Sequence, residues 1–272
     1  MSTASEFQHE IRWLLDEKYQ GKLSKLATED IARLKRGEHI DYLIGFGEFL
    51  GCKIDLSKRP HIPRPETEYW TQRAIIDIKK SNRKNIRVLD VFSGSGCIGV
   101  AVLKHISSAT LDFAEKDREF CKQITMNTRL NNINPSRYNI IQSDIFNNIS
   151  ESLFSSQFLL QQELGARAKS VTYDYILANP PYVPERNRKS VQQSVLDNEP
   201  LEAIFGGKDG LQYIKKFLKE AKNHLKKNGR IYLEFDSTQR DQIPKLLKDY
   251  GYSNFEMFRD QYHKWRFLVI KK

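Results

Sequence analysis

The chain has 272 residues, of which 39% are hydrophobic and 11% aromatic, enough for one large domain with a small appendage. Charged residues make up 29%, mean hydropathy is -0.59, and no apolar run is long enough to cross a bilayer, which excludes a membrane-spanning helix. A net charge of +10, from 44 basic and 34 acidic side chains, suits a polyanionic neighbourhood such as nucleic acid or the ribosome; lysine-rich solvent faces give the same number.

Residues 1–38 read as a small helical N-terminal domain. Phe7, Ile11, Leu14 and Leu15 form one apolar stripe, and Leu23, Leu26, Ile31 and Leu34 a second. Residues 39–62 read as a hairpin-like connector: 40–56 is punctuated by Gly45, Gly47 and Gly51, and the prolines of 59–65 force extended backbone. Residues 63–272 form the main domain, opening on a helix from Glu66 to about Lys80. Short apolar strands then alternate with helices: Ile86–Val91, Thr110–Ala114, Asn139–Gln142, Tyr173–Ala178 and Arg230–Phe235. This rhythm predicts an α/β fold, a parallel sheet covered by helices on both faces. In the basic stretch 215–230, Leu211, Ile214, Phe217, Leu218, Ala221 and Leu225 form a helical stripe with the lysines mostly opposite, which favours the solvent-face explanation of the charge. Two closely spaced strands near Ser253–Phe258 and Arg266–Ile270 suit an antiparallel pair closing the sheet, and 147–172, polar and weakly periodic, reads as an inserted loop.

Cys52, Cys97 and Cys121 are odd in number and far apart, and the six histidines show no paired ligand spacing, so neither a disulfide framework nor a metal site is expected. The first 20 residues carry four acids and resemble neither a signal peptide nor a transit peptide.

After the first main-domain strand comes Asp90-Val-Phe92-Ser93-Gly94-Ser95-Gly96-Cys-Ile-Gly99, a glycine loop whose amides lie ahead of a helix. Gly94-x-Gly96-x-x-Gly99 also spells a dinucleotide fingerprint, with Glu115 about 20 residues on. An acid inside the strand end, before a Gly-x-Gly loop, fits instead a nucleoside-sulfonium binder such as an S-adenosylmethionine enzyme. There Asp90 would hold the loop and lie near the methionyl amine, Glu115 would accept from ribose hydroxyls, and Asp144, followed by Ile145, from an adenine amino group. Acids ending three successive strands lie where such a sheet opens its ligand crevice.

Asn179-Pro180-Pro181-Tyr182 directly follows an apolar strand. Prolines do terminate strands, but a catalytic reading explains each residue type. An amide nitrogen is a poor nucleophile because its lone pair is delocalised. Acceptors aimed at its N–H groups favour the rehybridisation that attack requires, and Asn179 Oδ1 with the Pro180 carbonyl supplies two. The prolines fix the backbone, and the Tyr182 ring packs on a planar acceptor.

These blocks together resemble the HemK/PrmC-type release factor glutamine N5-methyltransferases. The likeness runs from about Arg36 to the C-terminus and rests on Tyr42–Phe49, Ile62–Glu68, Glu199–Gly210, Glu234–Gln239 and Arg259–Arg266 besides Asn179–Tyr182. The resemblance implies a seven-stranded Rossmann-like methyltransferase fold, S-adenosyl-L-methionine at the glycine loop, and the Gly-Gly-Gln glutamine of a class I peptide-chain release factor as acceptor, on or near the ribosome. Residues 65–67 would lie near the methionyl end of the cofactor. Phe92 stands where the family usually has glycine. That residue, the short N-terminal domain and the long 147–172 segment resemble fungal mitochondrial members, which implies the mitochondrial matrix; otherwise the cytoplasm is expected. A monomer without membrane or direct sequence-specific nucleic-acid binding is the further expectation. The motif alone is shared with adenine-N6 DNA and RNA methyltransferases, the rival class, but no 100-residue-scale target-recognition segment is evident.

Overall fold

The computed structural model describes residues 4–149 and 171–272. Helices α1 (Ala4–Tyr19) and α2 (Lys25–Lys35) lead into a short α3 (Ile40–Ile44) and a hairpin of β1 (Phe46–Phe49) and β2 (Cys52–Asp55). Ser24 caps α2 by accepting from the Ala27 amide at 3.1 Å. The second N-terminal stripe differs from expectation. Leu23 and Leu26 are exposed, and α2 instead turns Ala27, Asp30 and Leu34 inward, packing Leu34 with Leu14 and Leu43. Buried Asp30 is held by Lys18 at 2.8 Å and the Tyr19 hydroxyl at 2.7 Å, a polar interaction that hydrophobic periodicity does not register. The hairpin occupies 46–55; residues 40–44 close instead as a helical turn ended by Gly45.

Helix α4 (Pro65–Lys80) begins on a proline, whose missing N–H costs nothing in a first turn, and precedes the sheet. The sheet strands are β3 (Ile86–Val91), β4 (Ala109–Glu115), β5 (Tyr138–Gln142), β6 (Tyr173–Ala178), β7 (Leu225–Glu234), β8 (Phe255–Arg259) and β9 (Trp265–Lys271). Between them lie α5 (Cys97–His105), α6 (Arg118–Leu130), α7 (Gln193–Asn198), α8 (Gln212–Ala221) and α9 (Ile243–Asp249). The order is β5-β4-β3-β6-β7-β9-β8, with β9 antiparallel to both neighbours and the rest parallel. This is a seven-stranded Rossmann-like sheet, as the resemblance implies. Successive residues of β3 face opposite layers: Val88 packs with α4 and α5, Leu89 and Val91 with α8. A side chain of this size contributes roughly 1.5–3 kcal/mol when fully buried, so both layers hold the sheet.

Strand β7 begins at Leu225, earlier than expected. Tyr173 pairs with Leu225 but Tyr175 with Arg230, so Lys226–Gly229 bulge out between them. The inserted loop expected over 147–172 lies largely outside the described residues.

The chain reverses direction across the sheet between β3 and β6. These strands are sequence-distant but adjacent, pairing Val91 with Ala178. The loops following both therefore open side by side at the carboxyl edge.

Candidate active site

At this edge lies a cavity of about 670 Å³. The glycine loop contributes Phe92, Ser93, Gly94 and Ser95; β4 contributes Glu115; and the turn after β5 contributes Asp144 and Ile145. All four residues of Asn179–Tyr182 line the opposite wall. The register explains the meeting: Val91 pairs with both Ala114 and Ala178, so Phe92, Glu115 and Asn179 all leave the sheet at one level.

Asp90 and Gly96 are placed otherwise. Asp90 is fully buried behind the wall, where Oδ2 accepts from the Gly99 amide at 3.0 Å. It thus clamps the loop to the first turn of α5, a carboxylate at a helix N-terminus, but does not line the cavity. Its Oδ1 is buried and accepts nothing from the described residues. Burial pushes this carboxyl up to about 8, against the Gly99 hydrogen bond. Gly96 caps α5 in a left-handed turn against Ile124 and also stays off the lining. Gly99 serves packing, since a Cβ there would overlap the Phe113 ring.

Glu115 is 8% exposed, and its oxygens accept from the Gly94 and Asp117 amides, each at 2.8 Å. Burial pushes its carboxyl up while those two amides oppose the shift. Each oxygen keeps a second lone pair for a ligand hydroxyl. Phe92 takes φ +61, a conformation natural to glycine and strained for a side chain. Its ring is held edge-on to Tyr213 at 6.2 Å. Ile145 is likewise left-handed, at φ +59.

Sequence patterning assigns no role to Trp70, Glu234, Asp260 or Arg266, which lie behind Asn179–Tyr182, and places Thr67 only near the methionyl end of the cofactor. Asn179 Nδ2 donates to Thr67 Oγ1 at 3.2 Å, and the Thr67 hydroxyl donates to Glu234 Oε2 at 2.7 Å. Trp70 Nε1 donates to the same oxygen at 2.6 Å, and the Tyr182 hydroxyl to Glu234 Oε1 at 2.8 Å. Arg266, held by Asp260 at 3.1 Å, reaches the Tyr182 hydroxyl at 3.4 Å. Burial pushes Glu234 up, opposed by these hydrogen bonds and the Arg266 charge, and pushes Tyr182 well above its ordinary value. No local pattern finds this set, because hydrogen-bonded partners within it lie up to 167 positions apart.

The loop Gly206–Gly210 backs the motif from the other side. Val183 donates to the Ile204 carbonyl at 3.0 Å and accepts from the Gly206 amide at 2.9 Å. Gln239 Nε2 donates to the Tyr182 carbonyl at 3.0 Å. At the cavity rim, Glu199 is buried beside Arg64 and 2.6 Å from His61 Nδ1. Its burial favours the neutral form, but the hydrogen bonds and charges of His61 and Arg64 outweigh this and hold it down to about 2.

The family model described as Eco57I restriction-modification methylase matches residues 72–238, the segment carrying both loops. The release factor glutamine methyltransferase of Thermodesulfovibrio yellowstonii is 30% identical over 240 residues, 88% of this chain and 78% of that protein. The release factor glutamine methyltransferase of Lactococcus lactis is 27% identical over 267 residues, 97% and 89% of the two chains. A methyltransferase structure from Pyrococcus furiosus superposes with a TM-score of 0.54 over 90% of this chain and 98% of that one, at 18% identity, a likeness of fold. With a relative this similar along most of both lengths, and the core matched by the methylase model, the chain belongs to the release factor glutamine methyltransferases.

Proposed function

We propose that this enzyme transfers a methyl group from S-adenosyl-L-methionine to the side-chain nitrogen of the Gly-Gly-Gln glutamine in a class I peptide-chain release factor. The observation that carries this reading is the orientation of Asn179. Its Nδ2 is engaged by Thr67, and none of the described residues donates to its Oδ1, at the wall of a cavity large enough for a nucleoside and an entering side chain.

The donor set fits the cofactor. Glu115 offers one free lone pair per oxygen to ribose hydroxyls, Asp144 offers a carboxylate to an adenine amino group, and the Phe92–Ser95 loop faces the space between. Asp90 serves by clamping this loop, since it lies off the lining. When bound, the cofactor supplies an electrophilic methyl on a sulfonium. Asn179 Oδ1 and the Pro180 carbonyl accept the two N–H bonds of the glutamine amide and hold its nitrogen lone pair out of conjugation. The rigid Pro180–Pro181 backbone keeps these acceptors in place, and the Tyr182 ring, fixed by its bond to Glu234, bears on the planar amide. No base is needed before attack, because the nitrogen becomes acidic once methylated.

The mitochondrial matrix is the compartment we assign, from the resemblance to fungal members, with the enzyme acting as a monomer near the ribosome and without sequence-specific nucleic-acid contact. A fluorescent fusion and sedimentation of the purified chain test compartment and assembly.

The acceptor is tested by incubation with methyl-labelled S-adenosylmethionine, a purified release factor and, in parallel, unmethylated DNA, followed by peptide mass spectrometry. One methyl on the Gly-Gly-Gln glutamine is expected. Label on adenine would transfer the case to the rival class.

A further inference from the structure

We propose that Thr67 is a positioning residue that selects which end of the Asn179 amide faces the acceptor, with buried Glu234 dictating its choice. This deepens the function proposed above and rests on it for the identity of the acceptor.

The argument is one of proton bookkeeping. An asparagine amide presents either an oxygen or an NH2 to a cavity, and the two differ little in shape. Only the oxygen orientation accepts from an acceptor N–H. The opposite orientation would aim donors at donors. Asn179 therefore needs a partner that takes its Nδ2 and refuses its Oδ1. A threonine hydroxyl alone cannot refuse, because it donates as readily as it accepts.

Glu234 removes that freedom. Its Oε2 lies 2.6 Å from Trp70 Nε1, and an indole nitrogen only donates, so this oxygen acts as an acceptor. The Thr67 hydroxyl, 2.7 Å from the same oxygen, spends its single proton there. What Thr67 has left for Asn179 is a lone pair, which matches the 3.2 Å bond from Nδ2. Oδ1 is thereby turned toward the acceptor before any substrate arrives. The other carboxylate oxygen takes the Tyr182 hydroxyl at 2.8 Å, so one side chain, 1% exposed, aligns both flanking residues of the motif. Such a network is worth most in a buried setting, where an unpaired group has no water to turn to.

The test compares Thr67→Val, which keeps the shape and removes the hydroxyl, with Thr67→Ser, which restores it. Thr67→Val should lower kcat about ten- to a hundredfold, with little change in release-factor KM. Thr67→Ser should recover most of that loss. In an Asn179→Ala background, Thr67→Val should add nothing, since the group it orients is gone. A second readout needs no acceptor. In 15N-asparagine-labelled protein, one Asn179 Nδ2 proton should be protected from exchange in the wild type and in Thr67→Ser, and unprotected in Thr67→Val. Full kcat in Thr67→Val, an additive loss with Asn179→Ala, or unchanged protection would each overturn the proposal. Absence of release-factor labelling by the wild type would defeat the function reading alone, and the exchange measurement would still decide this one.

Discussion

Gly210 offers a sharp test of how the loop after α7 supports catalysis. It has φ +75, and a Cβ placed on it would overlap the Tyr182 carbonyl oxygen while lying 2.7 Å from Gln239 Nε2 and 3.1 Å from Pro184 Cδ. Gly210→Ala therefore incurs two separate costs. A left-handed conformation costs a non-glycine residue roughly 1–2 kcal/mol. Forcing a methyl into a filled site costs roughly 1–3 kcal/mol more, so about 2–5 kcal/mol of stability should be lost. The relaxation falls on backbone, because the clashing atom is a carbonyl and Gln239 already holds it at 3.0 Å. Moving Tyr182 by about 1 Å should cost kcat about a hundredfold, beyond any loss from unfolding. Urea denaturation gives the stability, and initial rates of labelled methyl transfer at a temperature where the variant is folded give kcat. Gly47→Ala is the matched control, since its Cβ would meet nothing closer than 3.7 Å. Wild-type stability and rate in Gly210→Ala would refute the claim that this loop sets the motif's position.

Two pH predictions follow from buried carboxyls. Glu199 is held down to about 2 from 4.5, so its stabilisation is present above about pH 4.5 and lost as pH falls toward 2. Glu199→Gln should lessen the acid-induced loss of stability in that window, measured by denaturant titration at several pH values, and equal slopes would count against the His61–Arg64 pairing. Asp90 behaves oppositely. Its folded value is raised from 3.8 to about 8, so the apo-protein should lose stability as pH rises between those values and the buried carboxylate is forced to ionise. Asp90→Asn, which keeps an acceptor for Gly99, should flatten that decline, and an unchanged pH profile would contradict the assigned burial.

The sequence made the sheet legible wherever a strand is buried on both faces. Ile86–Val91 and Tyr173–Ala178 are mostly apolar, ending at a glycine loop and a proline pair, and both fall where expected. The glycine loop, Glu115 and Asn179–Tyr182 were readable for the same reason: fold topology brings the carboxyl ends of paired strands together. Pattern alone did not reveal what depends on a distant partner. Leu23 and Leu26 match a helical stripe, yet the face that packs is chosen by Asp30 and its bonds to Lys18 and Tyr19. Asp90 carries the right chemistry in the right place, but its neighbour is the Gly99 amide and not the cavity. Glu234 matches a family block without a role, and Thr67 is placed only near the methionyl end of the cofactor, because the bond between them joins α4 to β7.

The central claim is that Asn179 activates an amide nitrogen, and single-turnover transfer to the release factor at saturating S-adenosylmethionine tests it most directly. Asn179→Ala should keep its fold and lose the chemical step by at least about a hundredfold, in line with removal of a positioned polar group at a reacting centre. Transfer at the wild-type rate by a folded Asn179→Ala protein would contradict the account.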